Sequence, residues 1–204
     1  GVPTGAEIAP GPAREPGSAK PIVFYGTSIT HGGCASRPGM AHVAILGRRL
    51  DRPVVNLGFS GNGTMDPSVA DLLVEIDAAV YVVDCLPNMT AEMVTERTTP
   101  LVKAIRKARP DVPIVLAEDR DYTNSRLLES QRRRNATNHE ALREEYRKLV
   151  AEGVTGLHYL EGSVQLGDDG EATVDGSHPT DLGFVRMADA FEPVIRKALG
   201  AKAP

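Results

Sequence analysis

The chain has 204 residues, with 23 Lys and Arg against 27 Asp and Glu and a formal net charge of −4. That length suits a single α/β domain, and the acidic balance supplies no positive field to hold a phosphate backbone or an anionic lipid face, so neither nucleic acid nor a membrane is expected as partner. Five Tyr, four Phe and no Trp leave little stacking surface for bases or sugar rings, which counts against a dedicated carbohydrate-binding module.

Residues 1–20 hold four Gly, four Pro and four Ala with no helical or strand period, and read as a linker or tail. A linker at the start raises the expectation of a further N-terminal domain missing from this chain. No basic-then-apolar leader opens the chain and no apolar run approaches the ~20 residues that span a bilayer, so localisation is left open. From residue 21 the pattern changes to five short apolar runs, 22–25, 54–57, 78–83, 114–117 and 157–160. Continuous apolar runs suit strands buried on both faces, and the gaps between them are long enough for parallel crossovers.

Those gaps carry helical faces. Val43, Leu46 and Leu50 share one face, as do Leu142, Tyr146 and Leu149, and Phe184, Ala188, Phe191 and Ile195. Asp66 before Pro67 reads as an N-cap with proline at the first helical position, and Gly200 as a C-terminal stop. Pro100 and Pro193 fall inside helical patterns and are expected to kink or split them. Alternation of strand and helix predicts a three-layer α/β/α sandwich on a five-stranded parallel sheet of flavodoxin-like order 2-1-3-4-5, with ligands beyond the carboxyl ends of the strands.

The chemistry is therefore sought just after each strand. After the first comes Gly26-Thr27-Ser28-Ile29-Thr30, where Ser28 stands on a tight turn and either caps the next helix or is held exposed as a nucleophile. It is not a G-x-S-x-G elbow, because Thr30 replaces the second glycine, and His31-Gly32-Gly33 follows the serine where a lipase oxyanion motif would precede it. The second strand runs into Gly58-Phe59-Ser60-Gly61-Asn62-Gly63, whose backbone N–H groups could approach an oxyanion, while no dinucleotide or P-loop spacing is present. The third runs into Asp84-Cys85-Leu86-Pro87-Asn88-Met89, in which Asn88 either caps a helix or offers its amide to the same site.

Near the C-terminus, Asp175-Gly176-Ser177-His178-Pro179 places an aspartate three residues before a histidine in a Gly/Pro-bounded loop, a spacing that lets the carboxylate hold the far ring nitrogen. His42, His139 and His158 lie in helical or strand patterns and read as structural. A metal site from Asp168, Asp169, Asp175 and His178 competes with the catalytic reading, although the spacing is not that of an EF-hand.

These four segments together resemble the SGNH hydrolases, also called GDSL esterases and lipases, over residues 21–199. Gly26-Thr27-Ser28-Ile29 matches the G-D-S-[LI] block with Thr27 in place of the aspartate, Gly61 and Asn88 fall on the glycine and asparagine of the next two blocks, and Asp175 to His178 matches D-x-x-H in full. The segments around Cys34 and Asn88 look like a bacterial branch that carries a β-sandwich domain before the hydrolase domain. The resemblance implies one hydrolase domain over 21–204, with Ser28 as nucleophile, His178 as base then acid, and Asp175 orienting it. It further implies an oxyanion hole of the Ser28 and Gly61 N–H groups and the Asn88 side chain, with no metal or cofactor.

The expected activity is a serine esterase acting through an acyl-enzyme on a short, acetyl-like ester of a sugar or small metabolite. The alternative is an acyltransferase using the same triad, and a silent binding domain is disfavoured because all three triad residue types are present. Arg37 is either a substrate contact or half of a surface ion pair. Cys34 and Cys85 are too few for a disulfide framework; they line the site or pair with each other. The charged run 119–126 is expected as a solvated loop, and Arg132, Arg133 and Arg134 as a solvent-facing patch.

Overall fold

The computed structural model describes residues 1–200; the last four residues of the expected domain, 201–204, lie outside the described residues. Five parallel strands, β1 (Ile22–Gly26), β2 (Val54–Gly58), β3 (Val80–Asp84), β4 (Ile114–Ala117) and β5 (Leu157–Leu160), form one sheet in the order β2-β1-β3-β4-β5. This is the expected doubly wound order, and each predicted strand lies within two residues of its observed bounds.

Helices cover both faces. Alternate residues of β1 point to opposite sides, so Val23 and Tyr25 join a core with α4 (Pro67–Leu73), α5 (Ala91–Ala108) and α6 (Glu129–Ala151). Ile22 and Phe24 join the other core, against α3 (His42–Arg49) and α7 (Asp181–Ala198). The period of Phe184, Ala188, Phe191 and Ile195 puts all four on the buried side of α7. Each fully buried Phe contributes about 1.5 to 3 kcal/mol of transfer free energy.

Local signals behave as the residue chemistry dictates at the ends of helices. The Asp66 side chain accepts from Ser68 N at 2.9 Å with Pro67 at the first turn, and Gly200 follows α7 with φ +70°. Two expectations need correction. Residues 16–19 form a single helical turn, α1 (Pro16–Ala19), within the otherwise irregular tail. Of the expected kink or split at Pro100 and Pro193, the split does not occur, since α5 and α7 run through them. Both prolines, and Glu96 and Asp189 four residues earlier, are exposed, so the carbonyls that proline leaves without a donor belong to residues on the solvent side, where leaving the intrahelical bond unmade costs least.

Candidate active site

β1 delivers the turn that carries Ser28. Thr27 caps the one-turn α2 (Ser28–His31): its Oγ1 accepts from Ile29 N at 3.2 Å, and Thr30 Oγ1 accepts from Thr27 N at 3.2 Å. Thr27 thus caps the turn from the position that aspartate holds in the motif it resembles, and Ser28 is the first helical residue, not the cap. Thr30 also donates to Asp84 Oδ2 at 3.0 Å, tying the turn to the end of β3. Gly26 admits no side chain, because an added Cβ would strike the Thr30 hydroxyl.

The turn places Ser28 Oγ 3.0 Å from His178 Nε2. His178 lies in a loop closed by an antiparallel bridge between Thr173 and Pro179, with Val174 N donating to His178 O at 2.8 Å. Within it, Asp175 Oδ1 accepts from Ser177 N at 2.9 Å and His178 N at 2.7 Å, and Oδ2 lies 2.8 Å from His178 Nδ1. Burial alone would raise the Asp175 carboxyl, but the backbone and ring bonds from His178 and the Ser177 N–H outweigh it and bring it down to about 2. An ionised Asp175 accepts a hydrogen bond from Nδ1–H, which keeps that proton on Nδ1 and leaves the Nε2 lone pair facing Ser28.

The loop after β2 is pressed onto the same turn. Phe59 N donates to Gly26 O at 2.9 Å, and a Cβ on Gly63 would collide with that carbonyl. Gly61 adopts φ +73°, a backbone that favours glycine. Asn88 ends a 3-10 turn (Leu86–Asn88) after β3, and its amide has two seatings. In one, Nδ2 donates to Phe59 O at a long 3.3 Å, with the side-chain oxygen facing acceptors. In the other, Oδ1 lies 3.2 Å from the backbone N of Gly61, Asn62 and Gly63. Asn62 and Gly63 already donate to Phe59 O, at 3.0 and 2.9 Å, so the second seating adds the Gly61 N–H and turns the NH2 toward the acceptors that the oxygen otherwise faces, while Oδ1 replaces Nδ2 beside Phe59 O. The second seating pairs both ends of the amide and leaves the Asn88 NH2 to donate on its other side.

Beneath these groups lies a buried polar layer that sequence reasoning did not single out. Burial pushes the Asp84 carboxyl up to about 7 against the pull of Arg120 and Thr30. His42, ringed by Phe24, Phe184 and Phe191, has no hydrogen bond at either nitrogen and is pushed down to about 3, by burial first and Arg120 second. Glu118 accepts from Tyr159 Oη at 2.7 Å, Arg143 Nη2 at 2.8 Å and Gly162 N at 2.8 Å.

The start of the expected solvated loop is therefore mostly inside the protein: Asp119 and Arg120 are each 1% exposed and pair with each other. Arg134 likewise leaves the expected surface patch to donate to Pro87 O at 2.6 Å, one residue before Asn88, while Arg132 and Arg133 face solvent. The signal available in the sequence was that Glu118-Asp119-Arg120 follows β4 directly, with no Gly or Pro between.

The remaining candidates separate from the triad. Cys34 and Cys85 are both free, one exposed and one buried, so they do not pair. Arg37 is exposed, reaches Ser36 Oγ at 3.4 Å and helps hold the Asp181 carboxyl down, after the Ser36 hydrogen bonds that dominate there. Asp169 is taken by Arg186, Nη1 at 2.7 Å and Nη2 at 2.5 Å, away from Asp175 and His178. Among the described residues no group of three or more His, Cys, Asp or Glu could hold a metal ion, and no helix is long and apolar enough to cross a membrane.

A parallel sheet of this order with a serine turn after β1 and an Asp-x-x-His loop before the last helix defines an α/β sandwich of the GDSL type. The chain belongs to the GDSL-like lipase/acylhydrolase family, whose pattern matches residues 19–196. A protein of Bacteroides ovatus described as a GDSL-like lipase is 39% identical, with a TM-score of 0.87 over 92% of this chain and 56% of its own. A salicylyl-acyltransferase from a tetracycline biosynthetic pathway (23% identity, TM-score 0.75, 90% of this chain and 56% of its own) shares the fold. So does a family two carbohydrate esterase of Clostridium thermocellum (17% identity, TM-score 0.71, 95% of this chain and 67% of its own). The chain thus spans little more than half the length of the first two. No curated protein matches it.

Proposed function

We propose that the chain is a serine esterase that hydrolyses short acyl esters of a sugar or small metabolite through an acyl-enzyme. The observation that carries this reading is the continuous chain from Ser28 Oγ through His178 to Asp175, with links of 3.0 and 2.8 Å. Ser28 Oγ attacks the ester carbonyl as its proton passes to His178 Nε2, and Asp175 holds the imidazolium that forms. The oxyanion is met by the Ser28 N–H and the Asn88 NH2, and by the Gly61 N–H in a three-centre bond that it shares with Asn88 Oδ1. His178 then returns the proton to the departing alcohol, and a water molecule activated by the same nitrogen releases the acid.

A short, polar ester fits a chain with four Phe, five Tyr and no Trp, and carbohydrate esterases are among the structures that share its fold. Hydrolysis is favoured over transfer to an alcohol by exposure: the side chains of Asp175 and His178 are 54% and 32% exposed in this chain, so water reaches the acyl-enzyme. The test is hydrolysis of p-nitrophenyl acetate by the wild type and by Ser28→Ala. Loss of activity in the variant is expected, and equal rates would overturn the assignment. Ester products in place of free acid, when candidate alcohols are added, would turn the reading to acyl transfer.

A further inference from the structure

We infer that Arg120 is a positioning residue for the triad, gripping both oxygens of Ser177 and so fixing the loop that carries Asp175 and His178. This rests on the esterase reading of that triad. Arg120 Nε donates to Ser177 O at 2.9 Å and Nη2 to Ser177 Oγ at 2.8 Å, so one planar guanidinium holds the residue between the orienting acid and the base at two points. Ser177 N in turn donates to Asp175 Oδ1 at 2.9 Å. A rotation of Ser177 that released Arg120 would therefore also disturb the Asp175 carboxylate that orients the His178 ring.

Arg120 is itself immobilised from every side. It is 1% exposed, paired with the equally buried Asp119, and its guanidinium lies 5.4 Å from the centre of the Tyr122 ring. Asn135 of α6 clamps its backbone segment, Nδ2 donating to Arg120 O at 3.2 Å and Oδ1 accepting from Tyr122 N at 3.0 Å. Its charge also acts on Asp84, whose carboxylate accepts from Thr30 in the cap of the Ser28 helix. Burying a guanidinium is costly, and an apolar side chain would fill the space without that cost. The two bonds to Ser177 give the charge a task that packing does not explain. A misplacement of the base by about 1 Å costs on the order of 10²-fold in rate.

The test compares wild type, Ser28→Ala, Arg120→Lys and Ser177→Ala in p-nitrophenyl acetate hydrolysis, with phosphonylation of Ser28 by a fluorophosphonate and thermal melting measured on each. Arg120→Lys keeps the charge opposite Asp119 but cannot hold two oxygens in the plane of a fork, and Ser177→Ala removes one of the two acceptors without touching the buried ion pair. Arg120→Lys is expected to lower kcat by at least about tenfold and Ser177→Ala by about three- to tenfold, with KM within twofold and Ser28 phosphonylation slowed in parallel. Both variants should remain folded at the assay temperature. If Ser28-dependent hydrolysis is present in the wild type, but Arg120→Lys and Ser177→Ala keep wild-type kcat and phosphonylation whatever their melting temperatures, the positioning role is wrong and Arg120 serves the fold alone. If the wild type shows no Ser28-dependent hydrolysis, the esterase reading fails and this inference falls with it.

Discussion

Asp175→Asn exchanges one carboxylate oxygen for an NH2 group and leaves the shape of the loop intact. The remaining amide oxygen can keep the bonds from Ser177 N and His178 N, now 2.9 and 2.7 Å, so the NH2 falls on His178 Nδ1, where the second carboxylate oxygen stands at 2.8 Å. Two donors then face each other unless the imidazole carries its proton on Nε2. In that tautomer Nε2 points an N–H at Ser28 Oγ, 3.0 Å away, and cannot take its proton. The charge that holds the imidazolium is lost as well. In other triads this exchange costs roughly 10⁴-fold in turnover. Here the Asp175 side chain is 54% exposed, so water already weakens the countercharge, and we expect a loss of about 10³-fold in kcat, near 4 kcal/mol of barrier, with KM within twofold. Steady-state hydrolysis of p-nitrophenyl acetate measures both constants. A loss below tenfold would show that Asp175 does not set the tautomer and would refute the reasoning. The same carboxylate, brought down to about 2, adds its stabilisation above the unfolded value near 4 and loses it as pH falls through about 2.

Asn88→Ala should lower kcat by roughly 10²-fold with little change in KM, because it deletes the proposed oxyanion donor and the acceptor of the Gly61 N–H; an unchanged kcat would move that role elsewhere. His42→Phe should expose an opposing pair of titrations. His42, pushed down to about 3, makes stability rise with pH up to about 6.5, since the unfolded chain binds the proton first. Asp84, pushed up to about 7, makes stability fall as pH rises from about 4, since the folded chain binds the proton more tightly. The two largely cancel in the wild type between about pH 4 and 6.5. In the variant, melting temperature should fall across that window, and a flat profile would show that Asp84 is not held protonated.

The sheet was legible because its strands are short apolar runs with long gaps, a pattern that only burial on both faces and helical crossovers satisfy. The Ser28, Asp175 and His178 arrangement proposed as the triad was legible for a related reason. Ser28 and the Asp175 to His178 loop stand at turns of Gly, Pro and Thr, where local chemistry restricts the backbone, and the structure brings Ser28 within 3.0 Å of a histidine 150 residues away. Asn88 was harder, since a 3-10 turn and a helix cap look alike in sequence, and only the neighbouring loop of Gly61 and Gly63 distinguishes them. The prolines at 100 and 193 misled because proline breaks a helix most surely where its lost hydrogen bond is buried, and side exposure within a helix depends on which face the sheet covers.

The buried charges were illegible for a different reason. Whether Asp119 and Arg120 face water depends on their partners: Ser177 lies 57 residues on in sequence, and Asn135 belongs to the next helix. Glu118 likewise depends on Arg143, Tyr159 and Gly162. A charged run is solvated by default because no single position can neutralise it, and it is buried only when several distant positions agree. Such agreement has to serve something, since apolar side chains would fill the same space at lower cost. In this fold the charges that agree stand behind the carboxyl ends of β3 and β4, and the bonds they make lead to Thr30 beside Ser28 and to Ser177 beside His178. The residues that sequence patterns single out would do the proposed chemistry, and the residues they miss would hold those groups in place.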